Sequence, residues 1–192
     1  MTYPGRTTVA QSALLVMDVQ SVVLSRYPDP DYLPRLREAI DAARAAGVPV
    51  IYVVVGFRPD FAEVSARNKM FGGMKARAGS MPAGDPGPGI HPDVAPAPGD
   101  IVVTKRRVSG FAGSDLDMVL RAGEIDHLVL TGVATSGVVL STLRQAADLD
   151  FTLTVLADGC LDGDPEVQRV LTEKVFPMQA AVTTITTWVQ EL

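Results

Sequence analysis

The feature that most narrows the fold is a series of short apolar runs that do not alternate with polar residues. Ser12-Ala13-Leu14-Leu15-Val16-Met17, Val48 to Val55, and His127-Leu128-Val129-Leu130 carry apolar side chains at both odd and even positions. Such a strand is covered on both faces, the condition of a parallel sheet with helices above and below it. Helical patterns lie between the runs. Asp29-Pro30-Asp31 opens a helix to about Ala46, with Leu33, Leu36, Ile40 and Ala43 at helical spacing and Gly47 as its stop. Asp100 to Thr104 is a third strand, and Ser114 caps a helix that carries Asp115 and Asp117 in its first turn and runs to about Ala122. Phe151 to Leu156 forms a fifth strand, and Asp164-Pro165-Glu166 starts a further helix. Ala180 to Thr184 is the last strand, and a short helix with Trp188 follows it. Strands and helices in alternation mean an α/β architecture rather than two separate units.

Composition sets outer limits. A chain of 192 residues with 47% hydrophobic content suits one domain, residues 1–192, with a substantial core. The formal net charge of −5 argues against a nucleic-acid partner. No stretch is long enough to span a bilayer, and no charged segment followed by an apolar run opens the chain. A single cysteine cannot close an intrachain disulfide, so nothing points to an oxidising compartment. The expectation is a cytoplasmic protein whose partner is a small molecule.

Chemistry-bearing residues gather where strands end. Asp18 follows the first strand, at the position where open α/β sheets hold their ligands; it can work there as acid or base, or cap the next turn. Lys105 follows the third strand and would project into the same crevice. An ammonium beside a carboxylate can lower its pKa, and the pair can move or stabilise a proton. From Leu130 to Thr142 a strand turns at Gly132 and passes into a helical pattern that reaches about Leu149. That turn sets the backbone of Ala134, Ser136, Gly137 and Val138 at a helix N-terminus, a place where nucleophiles are often found. The side chains available there belong to Ser136, Val138 and Ser141, and there is no cysteine. Phe57, Arg58, Phe71 and Phe111 are the candidate substrate-binding residues; Arg58 could hold an anionic group or simply be solvated. Gly72 to Gly99, rich in Gly, Pro and Ala and joined by Met70, Met74 and Met81, reads as a lid, a binding loop, a subunit contact or a surface loop. The two histidines, His91 and His127, are placed too far apart to form a metal site, so neither a metal nor a cofactor is expected.

In order along the chain, Leu14-Leu15-Val16-Met17-Asp18-Val19-Gln20, Val102-Val103-Thr104-Lys105-Arg106-Arg107-Val108-Ser109-Gly110-Phe111 and Leu130-Thr131-Gly132-Val133-Ala134-Thr135 resemble the isochorismatase-like, or cysteine hydrolase, superfamily. Asp115-Leu116-Asp117 and Ala157-Asp158-Gly159-Cys160 extend the likeness. The resemblance implies a three-layer α/β/α fold around a six-stranded, mostly parallel, Rossmann-like sheet. It also implies a hydrolase that forms a homodimer or higher homo-oligomer, with a non-proline cis peptide at Val133–Ala134. Its catalytic group is Asp–Lys–Cys: the aspartate is the general base, the lysine supports it, and the cysteine attacks an amide or related carbon. Asp18 matches the aspartate and Lys105 the lysine, but position 138 holds valine. Valine has no lone pair to offer, so the covalent thioester route is closed there. Cys160 falls past the fifth strand, in a different loop, and reads as a small apolar residue.

Nicotinamidase-type relatives carry a short Asp-x-His metal pattern after the second strand, where this chain has Val55-Gly56-Phe57-Arg58-Pro59-Asp60. Another branch, isochorismatase proper and its amino-substituted relatives, also lacks the cysteine. It hydrolyses a vinyl ether with the aspartate as acid. The glutamine which that branch carries after the second strand is replaced in the Val55-Gly56 region. The leading expectation is a hydrolase that uses Asp18 and Lys105 for acid–base chemistry, with turn amides near Val138 facing developing negative charge. A regulatory or binding pseudoenzyme on the same fold and a cofactor-free isomerase or lyase stay open beside it.

Overall fold

Each central strand divides its side chains between two cores, and that division sets the architecture. In β1 (Ser12–Met17), Ala13, Leu15 and Met17 enter one core while Leu14 and Val16 enter the other. The structure is a computed structural model and describes residues 11–78 and 89–192. With β2 (Val50–Val55), β3 (Ile101–Lys105), β4 (His127–Val133), β5 (Thr152–Leu161) and β6 (Ala181–Thr183), β1 forms a six-stranded sheet in the order β3-β2-β1-β4-β5-β6. Every neighbouring pair is parallel. The helices of the described residues are α1 (Ser21–Leu24), α2 (Tyr32–Ala45), α3 (Lys69–Ala78), α4 (Leu116–Ala122), α5 (Leu140–Asp148), α6 (Pro165–Val170) and α7 (Ile185–Glu191). Leu36, Ile40 and Ala43 of α2 join Ile185 and Trp188 of α7 on the Leu14 face. Leu116 and Leu120 of α4, Leu143 and Ala146 of α5, and Phe176 cover the Leu15 face. The result is the expected three-layer α/β/α fold. None of these helices is long and apolar enough to cross a membrane.

Helix boundaries follow local chemistry. Gly47 ends α2 at φ +72°, and the Val48 amide reaches back to the Ala43 carbonyl at 2.8 Å, the pattern of a glycine-closed helix. Asp164 accepts the amides of Glu166 and Val167 and opens α6, with Pro165 at its first position. Ser114 sits one residue ahead of the capping position, which belongs to Asp115; its hydroxyl accepts the Leu116 amide at 3.3 Å and donates to Gly110 O at 2.6 Å.

Three sequence readings are corrected. The Gly72–Gly99 segment is not wholly without periodic structure, because α3 occupies Lys69–Ala78 despite its two glycines, and Ile90 forms an antiparallel bridge with Gln20. Residues 79–88, with Met81, lie outside the described residues, as do residues 1–10 and the side chain of Met74. The turn does not begin at Gly132: β4 continues to Val133, a π-helical turn spans Thr135–Val139, and α5 follows. Finally, β5 does not stop at Leu156. Val155 pairs with Leu130 and Cys160 with Gly132, so two steps along β4 match five along β5. That bulge keeps Cys160 inside the strand, where the Asp158-Gly159 pair suggests a loop. The Val133–Ala134 peptide is cis, as expected.

Gly132 shows why the two central strands can meet so closely. Its φ is +144°, and a Cβ built there would lie 2.4 Å from the Met17 carbonyl oxygen. No side chain fits that gap without moving β1 from β4, and φ in this range already disfavours L-residues. Gly132→Ala should therefore lower stability by at least about 3 kcal/mol, in the range of severe core and backbone lesions. Chemical denaturation of the two proteins measures the difference.

Candidate active site

The sheet order reverses between β1 and β4, and the crevice above such a switch point is where open α/β sheets hold ligands. Asp18 is the first residue beyond β1. Its backbone turns left-handed there, at φ +55°, while its amide still donates to Val53 O at 2.8 Å. Lys105 ends β3, two strands away. Strands lie about 4.8 Å apart, so a short aspartate needs a partner with a long side chain to bridge the end of β2. They meet: Lys105 Nζ stands 2.9 Å from Asp18 Oδ2. The same ammonium donates to Arg107 O at 2.9 Å.

Both charges are almost completely withdrawn from water, with side-chain exposures of 2% for Lys105 and 11% for Asp18. Burial pushes the Asp18 carboxyl up to about 6, against the pull of the neighbouring Lys105 ammonium. Burial moves Lys105 the other way, below the ordinary lysine value, with Asp18 opposing the fall. The two shifts agree in sense, since each favours the uncharged form. Asp18 Oδ1 is buried and has no hydrogen-bond partner. One carboxylate oxygen is thus tied to the lysine, and the other is buried without a partner.

Gln20, quoted above only as part of a motif, holds this corner together. Its Nε2 donates to Val55 O at 3.1 Å and its Oε1 accepts the Val55 amide at 2.9 Å, a side-chain continuation of the ladder after β1 has turned away. The loop after Lys105 is fastened to α5 by two bonds, Ser109 Oγ to Gln145 Oε1 at 2.7 Å and the Gly110 amide to Thr142 Oγ1 at 2.8 Å. No local pattern in the sequence pairs these residues, because each contact joins distant elements.

The turn from Ala134 to Val138 differs from its sequence reading in which amides it offers. The Ser136 amide donates to Asp162 Oδ2 at 2.7 Å, and the Gly137 amide donates to Ala134 O at 3.0 Å. Those two residues therefore do not present unbound donors. Val138 is buried and packs in the core cluster that also holds Met17, Phe111 and Cys160. Cys160 lies 3.8 Å from Leu130 O, and burial raises its thiol far above the ordinary value. Phe111 is likewise a core residue, with its ring centroid 6.1 Å from that of Phe151. Phe57 forms a small aromatic group, 5.3 Å from Phe61 and 5.2 Å from Phe71. Met70 is exposed to solvent. Arg58 lines an open cleft with Glu63, Arg106, Arg107 and Gly113. His127 stands at the far end of β4, between Ser12 Oγ at 2.8 Å and Thr154 Oγ1 at 2.9 Å. Among the described residues, no three of His, Cys, Asp and Glu converge in a group able to hold a metal ion.

A parallel sheet of this order thus carries a buried acid–ammonium pair across the ends of β1, β2 and β3. The isochorismatase domain family matches residues 12–187, and the chain belongs to it. It is a hydrolase of this superfamily. It is 35% identical to a ureidoacrylate amidohydrolase RutB of Stutzerimonas stutzeri over 207 residues, 96% of this chain and 80% of the relative. The N-carbamoylsarcosine amidase of Thermoplasma acidophilum superposes with a TM-score of 0.71 at 29% identity, covering 91% of this chain and 96% of the other. A cysteine hydrolase from Pseudomonas syringae pv. phaseolicola shares the fold, with a TM-score of 0.81 at 24% identity over 94% of this chain and 91% of the other.

Removing the lysine tests the energetics of the pair. Lys105→Met leaves a carboxylate buried without its partner, and should cost about 3–5 kcal/mol at pH 8. A carboxyl raised by burial gives its full contribution to stability below the ordinary value of 3.8 and loses it as pH climbs through about 6. The deficit should therefore shrink at pH 5, where Asp18 takes up a proton. Urea titrations at the two pH values measure it.

Proposed function

We propose that the chain hydrolyses a small-molecule metabolite by acid–base chemistry at Asp18 and Lys105, without a covalent cysteine intermediate. The observation that carries this reading is the buried 2.9 Å pair whose second carboxylate oxygen has no partner within the protein. A carboxyl near 6 changes protonation close to neutral pH, so it can give a proton to a leaving or unsaturated atom, or take one from water. Lys105 stabilises the carboxylate after it has given up its proton. The family resemblance supplies the rest of the reading: position 138 is where relatives keep a nucleophilic sulfur, and a buried valine there offers none. Water is then the attacking group. Turn amides near Val138, other than those of Ser136 and Gly137, are the groups assigned to developing negative charge.

A binding protein on the same scaffold would also lack the nucleophile. It would, however, have no use for two opposite charges kept out of water at a ligand crevice. That burial favours the enzyme.

Turnover of isochorismate, simple amides, nicotinamide and ureidoacrylate identifies the substrate class. On whichever compound is cleaved, Asp18→Asn should reduce kcat/KM by at least about 100-fold, the usual scale of a lost general acid or base. Val138→Ala should keep most of the activity while costing about 2 kcal/mol of stability as a core truncation. Full activity in the Asp18→Asn enzyme, or a covalent substrate adduct seen by mass spectrometry, would overturn the mechanism.

The pH profile distinguishes donor from acceptor. If Asp18 must be protonated, kcat/KM falls as pH rises through about 6; if it must be ionised, kcat/KM falls as pH drops through the same value. A profile flat from pH 5 to pH 7 would exclude both roles.

A further inference from the structure

Three guanidinium groups crowd an open cleft just past the end of β3, and the protein uses only part of their capacity. Arg58, largely exposed, bonds Glu63 Oε1 through Nη1 at 3.3 Å. Arg106 donates to Gly56 O at 2.6 Å and approaches Glu63 Oε1 through Nε at 3.5 Å. Arg107 donates to Arg106 O and Glu63 O, each at 2.6 Å. A guanidinium carries five N–H donors, so several directions around Arg58 and Arg106 stay open to a ligand. One glutamate offsets only one of the three charges. The excess of positive charge stands out in a chain whose net charge is −5.

These groups line an open cleft of about 530 Å³, a size that suits a metabolite. The cleft is partly preorganised. Gly113 adopts φ +73°, and a Cβ there would lie 2.9 Å from Arg106 Cβ, so only glycine lets this loop close over the arginine. The Arg106 guanidinium is then fixed from behind by Gly56 O, and a fixed donor costs less to order on binding. Arg106 and Arg107 of the cleft directly follow Lys105 in the chain, and Lys105 Nζ donates to the Arg107 carbonyl, so one wall of the cleft is tied to the acid–base pair.

We propose that this cleft is the anion subsite of the crevice and takes a carboxylate of the substrate on Arg58 and Arg106. The proposal rests on the reading of Asp18 and Lys105 for what happens at the other end of the substrate. Glu63 selects within the class of anions: its carboxylate opposes a dianionic phosphate more than a monoanionic carboxylate. A guanidinium also matches the planar fork of a carboxylate.

The test is binding, which needs no turnover. Acrylate, crotonate, inorganic phosphate and the uncharged acrylamide are titrated calorimetrically into the wild-type protein, Arg58→Gln, Arg106→Gln and Asp18→Asn. The two carboxylates should bind in the millimolar range, more tightly than phosphate, and acrylamide should not bind. Arg58→Gln and Arg106→Gln should each weaken carboxylate binding about tenfold, the loss of one hydrogen bond to a charged group. Asp18→Asn should bind them at least as tightly as wild type. Arg58 is exposed, so its variant also serves if Arg106→Gln does not fold. Failure of both carboxylates to bind, equal affinity for acrylamide, tighter binding of phosphate, or unchanged affinity in Arg58→Gln would overturn the proposal. Carboxylate binding that depends on the arginines, in a protein whose turnover survives Asp18→Asn, would sink the acid–base reading and leave the subsite standing.

Discussion

Holding two opposite charges out of water is the demand around which this end of the sheet is built. A carboxylate and an ammonium lose hydration when buried, and their mutual attraction offsets that cost only if they are brought together with good geometry. Asp18 and Lys105 stand on strands separated by β2, and every connection between those strands has to keep their side chains in reach. The left-handed backbone at Asp18, the Gln20 clamp on Val55 and the hydrogen bond from Lys105 to Arg107 all bear on that one distance. Loss of any of them would free the pair to separate, and a separated pair in a dry site is costly for both members.

The same arrangement links fold to chemistry. A parallel sheet sends its strand ends to one side, so residues far apart in the chain meet there without long loops. The tight contact at Gly132 brings β4 against β1, which places the Ala134–Val138 turn beside Asp18's strand. The turn is then secured from the opposite direction by Asp162, and Thr135 Oγ1 donates to Gln168 Oε1 at 2.5 Å. Gln168 in turn donates to Ala157 O at 3.1 Å and Cys160 O at 3.3 Å, so the turn is tied to the bulged strand next to it.

Much of this was legible from residue order alone, and the physical reason is parity. Apolar residues at both odd and even positions of Ser12–Met17 mean two covered faces, and two cores are what the structure has. Asp18 and Lys105 were legible because a charged residue directly after a buried strand has few places to go. The rest depended on contacts that one segment cannot reveal. Gln20 bonds residue 55, Thr142 bonds residue 110, and Asp162 bonds residue 136. The β5 bulge hid behind Asp158-Gly159, which reads locally as a chain break and is instead absorbed within the strand. Helix α3 was hidden by Gly72 and Gly73, residues of poor intrinsic helix propensity.

The bulge has one more result. By carrying the chain's single thiol into the sheet beside Gly132, it leaves Cys160 walled off by its neighbours and firmly protonated. Thiolate is the form that alkylating agents and peroxides attack, and a buried, protonated sulfur offers them nothing. Where sulfur-dependent hydrolases are silenced by electrophiles or oxidative stress, a protein built this way presents no thiolate to them.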